Sequence, residues 1–132
     1  MLTQDLNTLT NRFTSRWVGT YPVVYDLAPQ AAYPNGSVHF SVVLTTSQHL
    51  YGDTTSGAKR QNGFVELTID IPDEHGDGEA IDMMERFAAI FRNWSDGSIN
   101  CATEYVTPHM KLPNGLIRFR IAVGFYSVRS YS

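Results

Sequence analysis

The amino-acid sequence predicts an α+β fold: a mixed, mainly antiparallel β-sheet, two amphipathic helices packed on one face, and a long loop or hairpin extension. Three observations predict it. Residues 62–72 alternate strictly. Val65, Leu67, Ile69 and Ile71 share one face, and Glu66, Thr68 and Asp70 the other, which is the period of a half-buried strand. A second run places Ile117, Phe119, Ile121, Val123 and Phe125 on one face and Arg118, Arg120 and Tyr126 on the other. Two further segments repeat apolar residues at helical spacing.

Leu2, Leu6, Leu9, Phe13 and Trp17 trace one helical face, with Thr3 as the expected N-cap and Asp5 in the first turn, where the helix dipole favours it. Gly19 and Pro22 should stop this helix. Residues 23–25 are a short strand candidate. Residues 28–36 hold Pro29, Pro34 and Asn35-Gly36, a loop signal. Residues 38–44 read as a strand. Residues 45–62 are rich in Thr, Ser and Gly, and so long a polar stretch in a compact domain is functional or ordered on a partner. Part of it, near His49-Leu50-Tyr51, could extend a hairpin.

After Gly78 comes the clearest helix, with Ala80, Met83, Met84, Phe87, Ala88, Ile90, Phe91 and Trp94 in one stripe. Asp77 is its expected N-cap, and Asp96-Gly97 its expected close. Residues 101–107 are a strand that Pro108 should end, and Asn114-Gly115 announces a hairpin into the final run. Asn35, Gly63, Gly76 and Gly78 are assigned to structural turns.

At 132 residues and 42% hydrophobic content, the chain reads as one domain with a real core. The net charge of −3 argues against a dedicated nucleic-acid binder. Its distribution says more. Eight of the thirteen acids fall between Glu66 and Glu85, a window without Lys or Arg, whereas Lys111, Arg118, Arg120 and Arg129 lie towards the C-terminus. The bland reading is two solvated faces. The sharper one is head-to-tail complementarity between identical subunits, which makes a ring if the rotation closes. Cys101, the one cysteine, cannot form an internal disulfide and fits a small buried residue in a reducing compartment. No stretch reads as a signal peptide or a membrane span, so the expected place of synthesis is the cytoplasm.

No catalytic motif stands out. Asp70, Asp73, Glu74, His75, Asp77 and Glu79 could hold Mg²⁺ or Ca²⁺, but their spacing fails the EF-hand pattern, and an acidic helix-capping turn explains them as well. His39, His49, His75 and His109 lack ligand spacing, Cys101 has no nucleophile motif around it, and no serine sits in a nucleophile elbow. Gly76-Asp77-Gly78 precedes a helix, but its acids would repel a phosphate. The expectation is a protein that is not an enzyme and carries no cofactor or metal.

Several pieces together resemble the phage tail terminator family of siphophages. They are the N-terminal amphipathic helix, Ala32-Tyr33-Pro34-Asn35 after a short strand, the strand at 38–44, a polar loop carrying Arg60, the run from Gly63 to Ile71, Gly76-Asp77-Gly78-Glu79-Ala80, a helix ending near Phe91, and a closing strand. The likeness spans roughly residues 2–126; the sequence departs from it in Gly36 directly after Asn35 and in the long polar stretch 45–62. The resemblance implies a structural virion protein of the tail neck, a subunit of a homohexameric ring that caps the tail tube, stops its polymerisation and offers the head-joining surface. Double-stranded DNA would pass through without specific binding. Implied partners are further copies of the chain, the tail tube protein and a head-completion or connector protein, with no membrane.

On that footing Tyr51, Lys59 and Arg60 are expected to contact the tube or a neighbouring subunit. Arg118 and Arg120 are expected to pair with acids of the next subunit, and Asp73, Glu74 and Asp77 to face the lumen. Rival readings are another neck ring or tube-like protein, a small metal-dependent hydrolase using the acidic turn at 70–79, and a small-ligand binding domain.

Overall fold

The computed structural model describes residues 2–25, 35–49, 58–72 and 77–130. The alternating runs become the long strands of one sheet. In chain order the elements are α1 (Leu2–Arg16), β1 (Val23–Tyr25), β2 (Ser37–His49), β3 (Ala58–Pro72), α2 (Asp77–Phe91), β4 (Ile99–Lys111) and β5 (Leu116–Ser130). The sheet is open, in the order β1-β2-β3-β5-β4. Only β1, against β2, pairs in parallel; every other pairing is antiparallel. This is the α+β architecture expected.

Both helices lie on one face because that face is apolar. Val38 and Phe40 of β2, the odd-numbered run of β3 from Val65 to Ile71, and that of β5 from Ile117 to Phe125 are buried there. Leu9 and Phe13 of α1 and Ala80, Met83, Phe87 and Phe91 of α2 close over them. Phe40 sits at the centre. Its ring stacks on Phe13 at 4.2 Å between centroids and on Phe91 at 6.2 Å, and meets Phe87 at 6.4 Å. Such pairs add to the burial term through their ring electrostatics.

The two helices are also tied by a cation. Arg12 donates from Nε to the carbonyl of Ile90 at 2.7 Å, and its guanidinium lies 4.3 Å from the Trp94 ring centroid. A positive group thus meets the unsatisfied carbonyl end of α2.

Several boundaries differ from expectation, each for a local reason. Thr3 lies inside α1, which starts at Leu2. Asp5 stands in the first turn of α1, as expected, but it is fully buried there and accepts a hydrogen bond from Ser127 Oγ at 2.6 Å. α2 begins at Asp77 and ends at Phe91, because Asn93 adopts a left-handed φ of 54° that an asparagine tolerates. Asp96-Gly97 is therefore a separate turn, in which Asp96 Oδ1 accepts from the backbone N–H groups of Ser98 and Ile99. Pro108 does not end β4. That strand is the sheet edge, and its pairing is interrupted by an irregularity between Thr107 and Met110, where a missing N–H costs nothing.

The stretch at 45–62 is, over its described part, a hairpin. β2 continues to His49 and β3 starts at Ala58, with Ser47 opposite Gln61 and His49 opposite Lys59 after a shift beyond Leu44. Gly63 is consequently a mid-strand residue and not a turn. Gly78 lies in the first turn of α2 with nothing near it, and so closes no turn either. Asn35 does stand in a turn, ahead of Gly36 at φ 107°. Gly76 lies outside the described residues.

Candidate functional site

The face of the sheet turned away from the helices carries the charges. Asp70 and Arg118 are direct cross-strand neighbours. Arg118 donates from Nε to Asp70 Oδ1 at 2.8 Å and from the guanidinium terminus to Oδ2 at 3.0 Å, a two-point fork that holds the guanidinium's pKa above its ordinary value. The ion pair expected of Arg118 with the next subunit is thus made inside the chain. Arg120, two residues on, lies opposite Thr68 and Thr107. Its Nε–H is closed off from solvent and meets no acceptor among the described residues.

Towards the hairpin end, the same face holds a groove of about 390 Å³. Its floor is bare because Gly124 of β5 and Ala102 of β4 contribute almost no side chain. Phe64, Tyr105 and Tyr126 wall it, and Arg60 stands at the rim. The Arg60 guanidinium lies flat over Tyr126, 4.1 Å from the ring centroid, and its Nε donates to Asn62 Oδ1 at 3.0 Å. Asn62 in turn donates to Thr46 Oγ1 at 2.9 Å. Arg60 is therefore held in place by its own strand, by β5 and, through Asn62, by β2. A cation oriented on an aromatic face beside apolar walls suits an acidic, partly apolar partner.

Two other surfaces stand out. Edge strand β4 leaves Tyr105, Val106 and Met110 about half exposed at 53%, 54% and 51%. Unpaired edges with apolar side chains invite further strands unless they are blunted. Here Arg92 forks onto Glu104, with Nε to Oε1 at 2.6 Å, and holds that carboxyl below its ordinary range. On α2, Ile81 stands 52% exposed with Asp82 and Glu85 close by on the solvent side.

The other expected residues are scattered. Lys59 is a strand residue opposite His49 and Arg129. Asp77 is exposed at the start of α2. Tyr51, Asp73 and Glu74 lie outside the described residues, as does His75 of the acidic turn. Burial pushes the Cys101 thiol up to about 11, which keeps it protonated at neutral pH and dulls it as a nucleophile. Among the described residues no three His, Cys, Asp or Glu side chains come together as a metal site, and no helix is long and apolar enough to cross a membrane. Sequence reading missed the groove. The one available signal was the pair Gly63 and Gly124, glycines inside two otherwise bulky alternating runs.

No protein-family model matches the sequence. No curated protein matches it. Twelve chains of solved structures match. One of them, a protein whose name describes no activity, superposes with a TM-score of 0.63 at 16% identity, over 98% of this chain and 97% of that one. The likeness extends to the fold and no further. The class defined by fold and site is an open-sheet α+β domain with a groove on the outer face of its sheet and exposed apolar residues on β4 and α2.

Proposed function

We propose that the chain is a structural subunit of a phage tail terminator ring, as its sequence resemblance implies. In this reading copies of the chain form a hexamer that caps the tail tube, stops its growth and presents a surface to a head-completion protein. Asp77, exposed at the start of α2, borders a channel through which DNA passes without adhering, since acids repel phosphate. The observation that carries the reading is that one subunit bears two unlike exposed surfaces on opposite sides: the Arg60 groove on the outer face of the sheet, and the exposed Ile81 with Asp82 and Glu85 on α2. A ring built head to tail needs two unlike patches on every subunit.

The test is the mass of the purified protein by light-scattering chromatography, across concentration and salt, alone and with its tail tube protein. A ring, free or formed on the tube, is the expected result. A monomer that ignores the tube at every concentration overturns the proposal.

A further inference from the structure

We infer that the exposed face of α2 from one copy docks into the Arg60 groove of the next, so that copies join front to back. This rests on the ring reading and names its interface. The groove and α2 lie on opposite faces of the sheet, so the contact cannot be reciprocal. A pair that docks once still has one free front and one free back, and addition continues until the ring closes.

Two complementarities carry the inference. The first is shape. Ile81 projects from α2 at 52% exposure, and the residue one turn before it, Gly78, has open space around it. The helix surface is therefore a single apolar knob with a clear approach. The groove, floored by Gly124 and walled by Phe64, Tyr105 and Tyr126, is a mostly apolar hollow large enough for such a side chain. The second is charge. Asp82 and Glu85 accompany Ile81. Asp82 already pairs with Arg86 at 2.6 Å, while Glu85 is only 3.8 Å from an Arg92 nitrogen and its side chain is 70% exposed. Glu85 is thus the freer acid. On the groove side Arg118 is committed to Asp70, whereas Arg60 has no carboxylate partner among the described residues and is fixed over Tyr126. An apolar anchor ringed by opposite charges is the usual anatomy of a specific contact.

The experiment uses two variants of the full chain. Ile81→Arg destroys the front and leaves the groove intact; Arg60→Glu destroys the groove and leaves the front intact. Both residues face solvent or lie at a rim, and thermal melts confirm that each variant folds. Each alone should raise the concentration of half-assembly by about tenfold or more. Mixed in equal amounts, they should form a heterodimer and nothing larger, because one sound front meets one sound groove. Gly124→Ala, which raises the groove floor without touching Arg60, should weaken assembly in the same direction. If the wild-type assembles and either charge variant assembles equally well, or the mixture yields no heterodimer, the interface is wrong while the ring reading stands. If the wild-type never leaves the monomer, with or without the tube protein, both fall.

Discussion

Replacing Gly63 by alanine should destabilise the fold, although the same change at an ordinary strand glycine is harmless or helpful. Gly63 lies opposite Leu44 of β2 and Phe125 of β5. An added Cβ would stand 2.3 Å from the carbonyl oxygen of Val43 and 3.0 Å from two carbons of the Phe125 ring. Carbon atoms pack comfortably at about 3.5–4.0 Å, so the ring must retreat by roughly half an ångström, and the backbone contact is tighter still. The Val43 carbonyl cannot swing aside like a side chain, because β2 is held on β3 on both sides of the site. Overpacking of this kind costs about 1–3 kcal/mol. Removing a glycine from a strand returns roughly 0.5–1 kcal/mol, which leaves a net loss of about 1–2 kcal/mol. For a domain of this size that corresponds to a fall in Tm of about 4–10 °C.

Gly124 provides the control. A Cβ there meets nothing nearer than 3.9 Å, so alanine should leave the fold as stable or stabilise it by roughly 0.5–1 kcal/mol. Urea titration and thermal melting followed by circular dichroism read both. A Gly63→Ala protein as stable as wild-type, or a Gly124→Ala protein equally damaged, would refute the close-approach argument.

Three other outcomes are expected. Phe40→Ala empties the centre of the aromatic cluster and should cost about 3–5 kcal/mol in urea unfolding; a loss under 1.5 would mean that Phe13 and Phe91 close the gap. Arg118→Ala breaks a partly buried fork and should cost about 1–2 kcal/mol, most of it absent when Asp70 is already Asn, so a double-mutant cycle should show coupling rather than additivity. Because Arg92 lowers the folded pKa of Glu104 from its ordinary 4.5, the pair's contribution is complete above that value and is lost as pH falls through the folded one. The wild-type urea midpoint should therefore drop more steeply on acidification below 4.5 than that of Glu104→Gln; parallel curves would exclude the linkage.

The parts of the fold legible in the sequence were those with one face in the core. β3, β5 and α2 each carry enough apolar residues at one period to declare both type and orientation. The extension beyond Leu44 was legible only as a choice between loop and hairpin, because Thr45, Thr46 and Ser47 are all exposed and show no alternation. β4 was cut short at Pro108 because a proline reads as a stop, and only the finished strand order shows that this strand is an edge. Asp5 illustrates a harder limit. Its burial depends on Ser127, 122 residues away, and no local pattern announces such a partner. The groove was invisible for the same reason: it is made of what Gly124 and Ala102 lack, on strands brought together only by the sheet order.

That order also has a consequence for how the chain is made. β5 lies between β3 and β4, yet it is the last of the five strands to emerge from the ribosome. Until it arrives, β3 offers a bare edge and β4 has no neighbour to pair with. Synthesis at about 5–20 residues per second leaves this half-sheet waiting for several seconds, its long-range pairings unmade. β5 then enters as a wedge, joining two separate pieces in one step and sealing Asp5 behind Ser127. Folding of this molecule is thereby timed to the completion of β5, and a chain cut before Leu116 would contain most of the core residues but only the three strands β1-β2-β3 to hold them.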